Sequence, residues 1–175
     1  MAMPETIVMP DGTPRFLNEA QLVQNVALGA TLVWRFIASF DQTAKSACPL
    51  PLCFVVLPIL FHHVTRDAAV STNPGSPLAK FVEKFDQKRE DLLAIHERML
   101  AMRSLSLRSI QLAVERGLIA VEPADGIVLP SPKVKLSTER RPEALRPMLR
   151  AAEKLGGWCA PHDLAHIANH LRLFF

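Results

Sequence analysis

The sequence is short of charge, of cysteine and of catalytic motifs, and each shortage excludes something. Charged residues make up only 21% of the chain against 49% hydrophobic ones, where soluble domains average about 25% charged. With a mean hydropathy of +0.16, the chain carries more apolar surface than a free-standing monomer usually shows, and a subunit interface is the ordinary destination for it. The three cysteines, Cys48, Cys53 and Cys159, are odd in number and lack a framework spacing. They read as buried free thiols in a reducing cytoplasm. The opening MAMPETIVMPDGTPRF has neither a basic start nor an apolar run, so no signal peptide is expected. No P-loop, nucleophile elbow, dinucleotide-binding fingerprint or paired-carboxylate arrangement is found, and the motifs predict neither an enzyme nor a cofactor.

At 175 residues the chain fits one domain, or two small lobes sharing a core. Such a chain buries roughly 70% of the surface its unfolded form exposes and needs no disulfide or metal staple. Residues 1–64 hold three basic and four acidic side chains, leaving seventeen and thirteen for residues 65–175 out of totals of 20 and 17. The net charge of +3 therefore resides in the second part, where any polyanion contact belongs.

The stretch PLPLCFVVLPILFHHVTRD (Pro49–Asp67) carries no charge from Ala47 to Phe61. That run is short of the roughly 20 residues of a membrane-spanning helix. Pro49, Pro51 and Pro58 interrupt it, and Pro58 in lipid would orphan a carbonyl four residues earlier. A buried core segment is expected, with Phe54, Val55, Leu57, Leu60 and Phe61 against a preceding helix, and no membrane partner.

That helix is signalled by Asn18 and Gln21 in a capping-box pattern, by Asn25 as a second cap, and by Leu28, Leu32, Phe36 and Phe40 at four-residue steps. STNPGSP is a loop, with Ser76 and Pro77 as cap and first residue of a helix that runs on to about Leu105 and is kinked or re-capped near Asp86. Ser106 is expected to cap the next helix, and Gly117 to end it in a left-handed conformation. LIAVE-PADG-IVLP then reads as a β-hairpin. A helix from Glu143 should stop at Gly156-Gly157, and a last helix should run from Pro161 to Phe175. The predicted fold is mainly α, a helical domain with a winged helix-turn-helix part and one short hairpin wing. Its divisions are an N-terminal extension (1–17), an N-terminal helical part (18–75), a winged-helix-like part (76–136) and a C-terminal helical pair (137–175).

A winged helix suggests DNA, read by a helix in the major groove. The helix after Ser106 offers a mixed set, Arg108, Ser109, Gln111, Glu115 and Arg116, and Glu122 and Asp125 on the wing would repel phosphates. Candidate backbone contacts are Arg103, Arg108, Lys133, Lys135, Arg140 and Arg141, with Arg98 nearby and Glu97 and Glu139 diluting them. Protein contact is the leading use of this scaffold, with weak non-specific DNA contact as an addition.

Cys159, His162, His166 and His170 resemble a zinc-ligand series. On one straight helix the outer histidines would lie about 12 Å apart and could not share an ion, so a polar helix flank is expected and no metal. His62 and His63 would point about 100° apart on a helix. They are expected near a helix C-terminus, where they suit the dipole. Trp34 and Phe36 are expected to pack.

Three blocks resemble a family. N-V-A-L-G-A-T-L-V-W-R-F (Asn25–Phe36) is similar to a signature of the middle components of bacterial three-component ABC systems, with Asn25, Gly29, Trp34 and Phe36 at the matching positions. The Pro49–Arg66 block resembles the family's second signature through Leu57, Pro58, His62 and Arg66. A-A-E-K-L-G-G-W-C-A (Ala151–Ala160) resembles a third through Trp158. Val26 stands where the family has Pro, Cys159 where it has Phe, and the ending HIANHLRLFF departs from the usual one. The resemblance implies a small helical and winged-helix protein, without catalytic residues, working beside an SMC-like or RecF-like ABC ATPase and an effector such as a nuclease. Lamassu-type anti-phage systems belong to this group. The expected function is a cytoplasmic adaptor; the alternatives are a DNA-binding winged-helix regulator and, third, a small metal-dependent enzyme.

Overall fold

The computed structural model describes residues 25–134 and 142–175. The Asn18–Gln21 capping box, the 1–17 extension, and Lys135, Glu139, Arg140 and Arg141 lie outside the described residues.

Asn25 starts the central helix as expected, its side chain accepting the Leu28 N–H at 2.9 Å and satisfying one of the first-turn donors. This helix, α1 (Val26–Ala44), is buried around most of its circumference, including Gly29, Ala30, Val33, Trp34 and Arg35 as well as the Leu28–Phe40 row. The apolar face inferred from four-residue steps is thus only part of it. Helices on all sides turn α1 into the core.

The chain then forms a short strand β1 (Cys48–Pro49), a 3-10 turn (Leu50–Leu52) and helix α2 (Cys53–Leu60). Pro58 is accommodated because α2 is only 8 residues long, so few hydrogen bonds are lost. Val55, Leu57, Leu60 and Phe61 are buried beside α1. Phe54 is the exception among the five, being half-buried. Helix α3 (His63–Ser71) leaves at a sharp angle; the two segments are bent by 102°. Thr65 holds that corner by donating its hydroxyl to the Ile59 carbonyl at 2.6 Å. No single helix among the described residues is long and apolar enough to cross a membrane; the bent pair passes on length and composition alone, and most of its uncharged half is buried inside the protein.

The helix expected after STNPGSP is divided in two near Asp86, where a kink or new cap was expected. Helix α4 (Leu78–Glu83) has Pro77, not Ser76, at its cap, and the backbone turns through residues 84–88 before α5 (Arg89–Ala101). The polar run Asp86-Gln87-Lys88 has nothing apolar to bury, so the break falls there. Only Met102 separates α5 from helix α6 (Arg103–Glu115), so Ser106 lies inside α6 and is buried instead of capping it. Gly117 adopts φ +65° as expected, and the Leu118 N–H closes on Ala113 O at 2.9 Å.

Strands β2 (Ile119–Glu122) and β3 (Ile127–Pro130) form the hairpin, with Val121 opposite Val128. Its edge is completed from far upstream, since β1 pairs antiparallel with β3 through Cys48 and Val128. The order is therefore β1-β3-β2. The Leu50 N–H also bonds Gly126 O at 2.8 Å.

A 3-10 turn (Glu143–Leu145) leads into α7 (Arg146–Cys159), which passes straight through Gly156-Gly157. Gly156 is there for approach: a Cβ on it would fall on the Phe36 carbonyl oxygen and 3.0 Å from Phe40 N. Helix α8 spans only Leu164–Leu171, capped by Asp163, which accepts the His166 N–H at 2.7 Å. Arg172 takes the left-handed conformation at φ 56° and ends it before Phe175.

Candidate functional site

One junction of α1, α3 and α7 joins the first block to the third. Arg35, alone among apolar neighbours on α1, has a side chain with 0% exposure and pairs with Glu153 on α7, which is 28% exposed. A guanidinium removed from water needs such a partner, because the charge cannot be neutralised at any ordinary pH. One residue on, Lys154 donates to the carbonyls of Val70 at 2.6 Å and Thr72 at 2.9 Å. An ammonium group thereby satisfies the open C-terminal end of α3. Burial, with Lys84 and Arg150 nearby, lowers the Lys154 pKa below the usual lysine value.

Trp158 lies one turn further on. Its ring stacks on Phe81 with centroids 5.8 Å apart, and its indole N–H reaches Pro74 O at 3.1 Å. Gly29 packs against Ser109 of α6 and Leu57 of α2, where a Cβ would not fit. Trp34, Phe36, Leu57 and Pro58 are buried, in keeping with packing roles. Sequence reasoning missed Arg35, Glu153, Lys154 and Gly156. The one available signal was a lone Arg in an otherwise apolar helix stretch.

The junction allows a direct test. Replacing Glu153 with Ala leaves the Arg35 charge buried beside α7, and stability should fall by about 2–3 kcal/mol, the low end for a broken buried pair because water reaches Glu153. Urea unfolding would show this as a lower midpoint at unchanged slope.

The histidines meet the expectation in part. His62 and His63 follow the C-terminal end of α2, as expected, and also open α3, with His62 at its cap position and His63 its first residue. Their ring centroids lie 5.0 Å apart. Arg66 is half-buried, 3.7 Å from Asp67. His162, His166 and His170 stack, with successive centroids 4.2 Å apart and the outer two at 6.1 Å. The outer separation of about 12 Å assumed one continuous helix; His162 precedes the Asp163 cap and folds back over His166. Burial and then the two neighbouring imidazoles lower the His162 pKa, because each disfavours an added positive charge. Among the described residues no group of three His, Cys, Asp or Glu side chains is placed to hold a metal ion.

The three cysteines are free and buried. Burial pushes the Cys159 thiol up to about 12. A hydrogen bond with Cys53, with burial second, also raises the Cys48 pKa.

Of the candidate DNA contacts, Arg103 and Arg108 are exposed on α6, Lys133 is exposed after β3, and Lys135, Arg140 and Arg141 lie outside the described residues. Between the arginines α6 also exposes Leu107 and, further along, Val114. Glu122 and Asp125 on the hairpin are exposed as well.

Fold and junction together define the class: a small, mainly helical protein with a three-stranded antiparallel sheet, braced by a buried ion pair. Across residues 14–174 the sequence matches the model of the ABC-three component (ABC-3C) system Middle Component 3. The chain belongs to that family of middle components. Neither the curated proteins nor the solved structures yield a match.

Proposed function

We propose that this chain is a non-catalytic adaptor of the cytoplasm, joining an ABC ATPase to an effector, such as a nuclease, within an anti-phage complex. Membership of a middle-component family supports the presence of an ABC ATPase and a further component as partners. A Lamassu-type system with an SMC-like ATPase is the specific form we favour, on the resemblance of the Asn25–Phe36 and Pro49–Arg66 blocks.

The observation that carries the reading is the outward face of α6. It offers Leu107 at 48% and Val114 at 42% exposure, with Gln111 between them, where a base-reading helix would set polar side chains. Exposed apolar side chains on a helix face suit a protein partner. The strand order β1-β3-β2, with α6 ahead of the hairpin, supports a winged-helix reading of the part from α1 to β3. On this proposal the wing serves protein contact.

Co-expression with the ATPase and the third component should give a complex that survives size-exclusion chromatography. A lone, monodisperse monomer alongside free partners would overturn the adaptor. A DNA-binding regulator, in contrast, should prefer a short operator over random duplex at physiological salt. Weak binding equal for any duplex and lost with added salt is expected instead.

A further inference from the structure

Six large apolar side chains stand exposed among the described residues, and three of them, Leu100, Phe174 and Phe175, share one groove. Its volume is about 380 Å³. The other side is contributed by Leu50 of the 3-10 turn and Phe54 of α2. This explains why Phe54 alone of the expected core set is not buried.

The groove is held open by specific contacts. Leu173 is buried, and its N–H closes on Ala168 O at 2.9 Å after the left-handed Arg172. That anchor fixes the direction of the last two residues. The Phe174 N–H then donates to His96 Nδ1 at 3.4 Å, and the two rings meet edge-on with centroids 5.5 Å apart. Phe174 is thus positioned while 79% exposed, and Phe175 beside it is 53% exposed.

Among the described residues one charged side chain lines the groove, Arg103 at the start of α6. It is exposed and makes no hydrogen bond or ion pair among the described residues. An unpaired guanidinium beside aromatic and aliphatic surface selects an occupant with a carboxylate next to apolar side chains. A basic or purely polar segment would leave both the apolar wall and the charge unmatched.

We propose that this groove docks a short apolar segment bearing an acidic residue, supplied by one of the other two components of the system. The inference rests on the adaptor reading and deepens it. The aromatic pair and Leu100 bury the partner's apolar side chains, and Arg103 takes its carboxylate.

The test is co-purification of the three co-expressed components with the wild-type chain and with Leu100→Asp, Arg103→Glu and Arg103→Lys. These positions are exposed, so each variant should melt near the wild-type temperature. Recovery of one component should drop by about tenfold or more with Leu100→Asp and with Arg103→Glu, the loss typical of a hot-spot contact. Recovery of the other component should hold, and Arg103→Lys should keep most of the binding. Unchanged recovery of both components in folded variants overturns the groove while leaving the adaptor intact. A wild-type dimer that Leu100→Asp converts to monomer also overturns it, by assigning the groove to a second copy. Failure of the wild-type chain to recover either component removes the adaptor reading itself.

Discussion

Gly156→Ala, one methyl group in a helix, is expected to cost about 3 kcal/mol or more and to leave little soluble protein. The added Cβ would overlap the Phe36 carbonyl oxygen and sit 3.0 Å from Phe40 N and 3.1 Å from Phe36 C. All of these are backbone atoms of α1, so no rotamer change relieves the clash. The helices must separate, and α1 with α7 is the most extensive helix pairing among the described residues. Separation would also pull Glu153 from Arg35, coupling the loss to a buried charge. The neighbouring Gly157→Ala supplies the control. Its nearest atoms are Ser39 Oγ at 3.7 Å and Thr43 Oγ1 at 3.8 Å, ordinary contact distances, so removing a helical glycine there should stabilise by about 0.5–1 kcal/mol. Thermal melts of the two variants should move in opposite directions. Equal shifts would refute the close approach of α7 to α1.

Leu57→Asp should be at least as damaging. Leu57 has 0% exposure and touches the space around Gly29 at the centre of the α1–α2–α6 contact. Losing its burial alone costs about 2–5 kcal/mol. The carboxylate must in addition either stay ionised without a partner or protonate at a raised pKa. Together these reach the whole stability of a typical domain, about 5–15 kcal/mol, so the protein should partition into the insoluble fraction. Phe54→Asp, three residues earlier on the same segment but half-buried, should stay soluble. Soluble Leu57→Asp protein that still enters the complex would show that the segment is not core.

Much of the chain was legible because local signals and burial agree there. Asn25 caps α1 and Gly117 ends α6 for reasons written in two or three adjacent residues. The hairpin follows from alternating apolar residues around Pro-Ala-Asp-Gly. The uncharged Ala47–Phe61 run was identified as core by length and prolines alone. Even the family was readable, since Asn25–Phe36 and Pro49–Arg66 carry enough specific residues to mark it.

The failures share one cause, which is that distant residues decided them. Gly156-Gly157 looks like a helix stop by itself, yet α7 continues because α1 needs a gap to fit against. Ser106 looks like a cap, but α6 starts earlier, and Ser106 lies buried within it. The three histidines were placed on one rod, whereas a single cap at Asp163 folds His162 back onto the stack. Sequence alone determined that this is a mainly helical, apolar chain, since composition and short-range spacing carry that information, and the resemblance of its three blocks marked it as of the middle-component type. Only the tertiary structure decided that Cys48–Pro49 joins the hairpin, that Arg35 meets Glu153, and that Phe54 and Phe174 frame one groove. Each of those contacts joins residues far apart in the chain, and their energy comes from surfaces that exist only once the chain has packed.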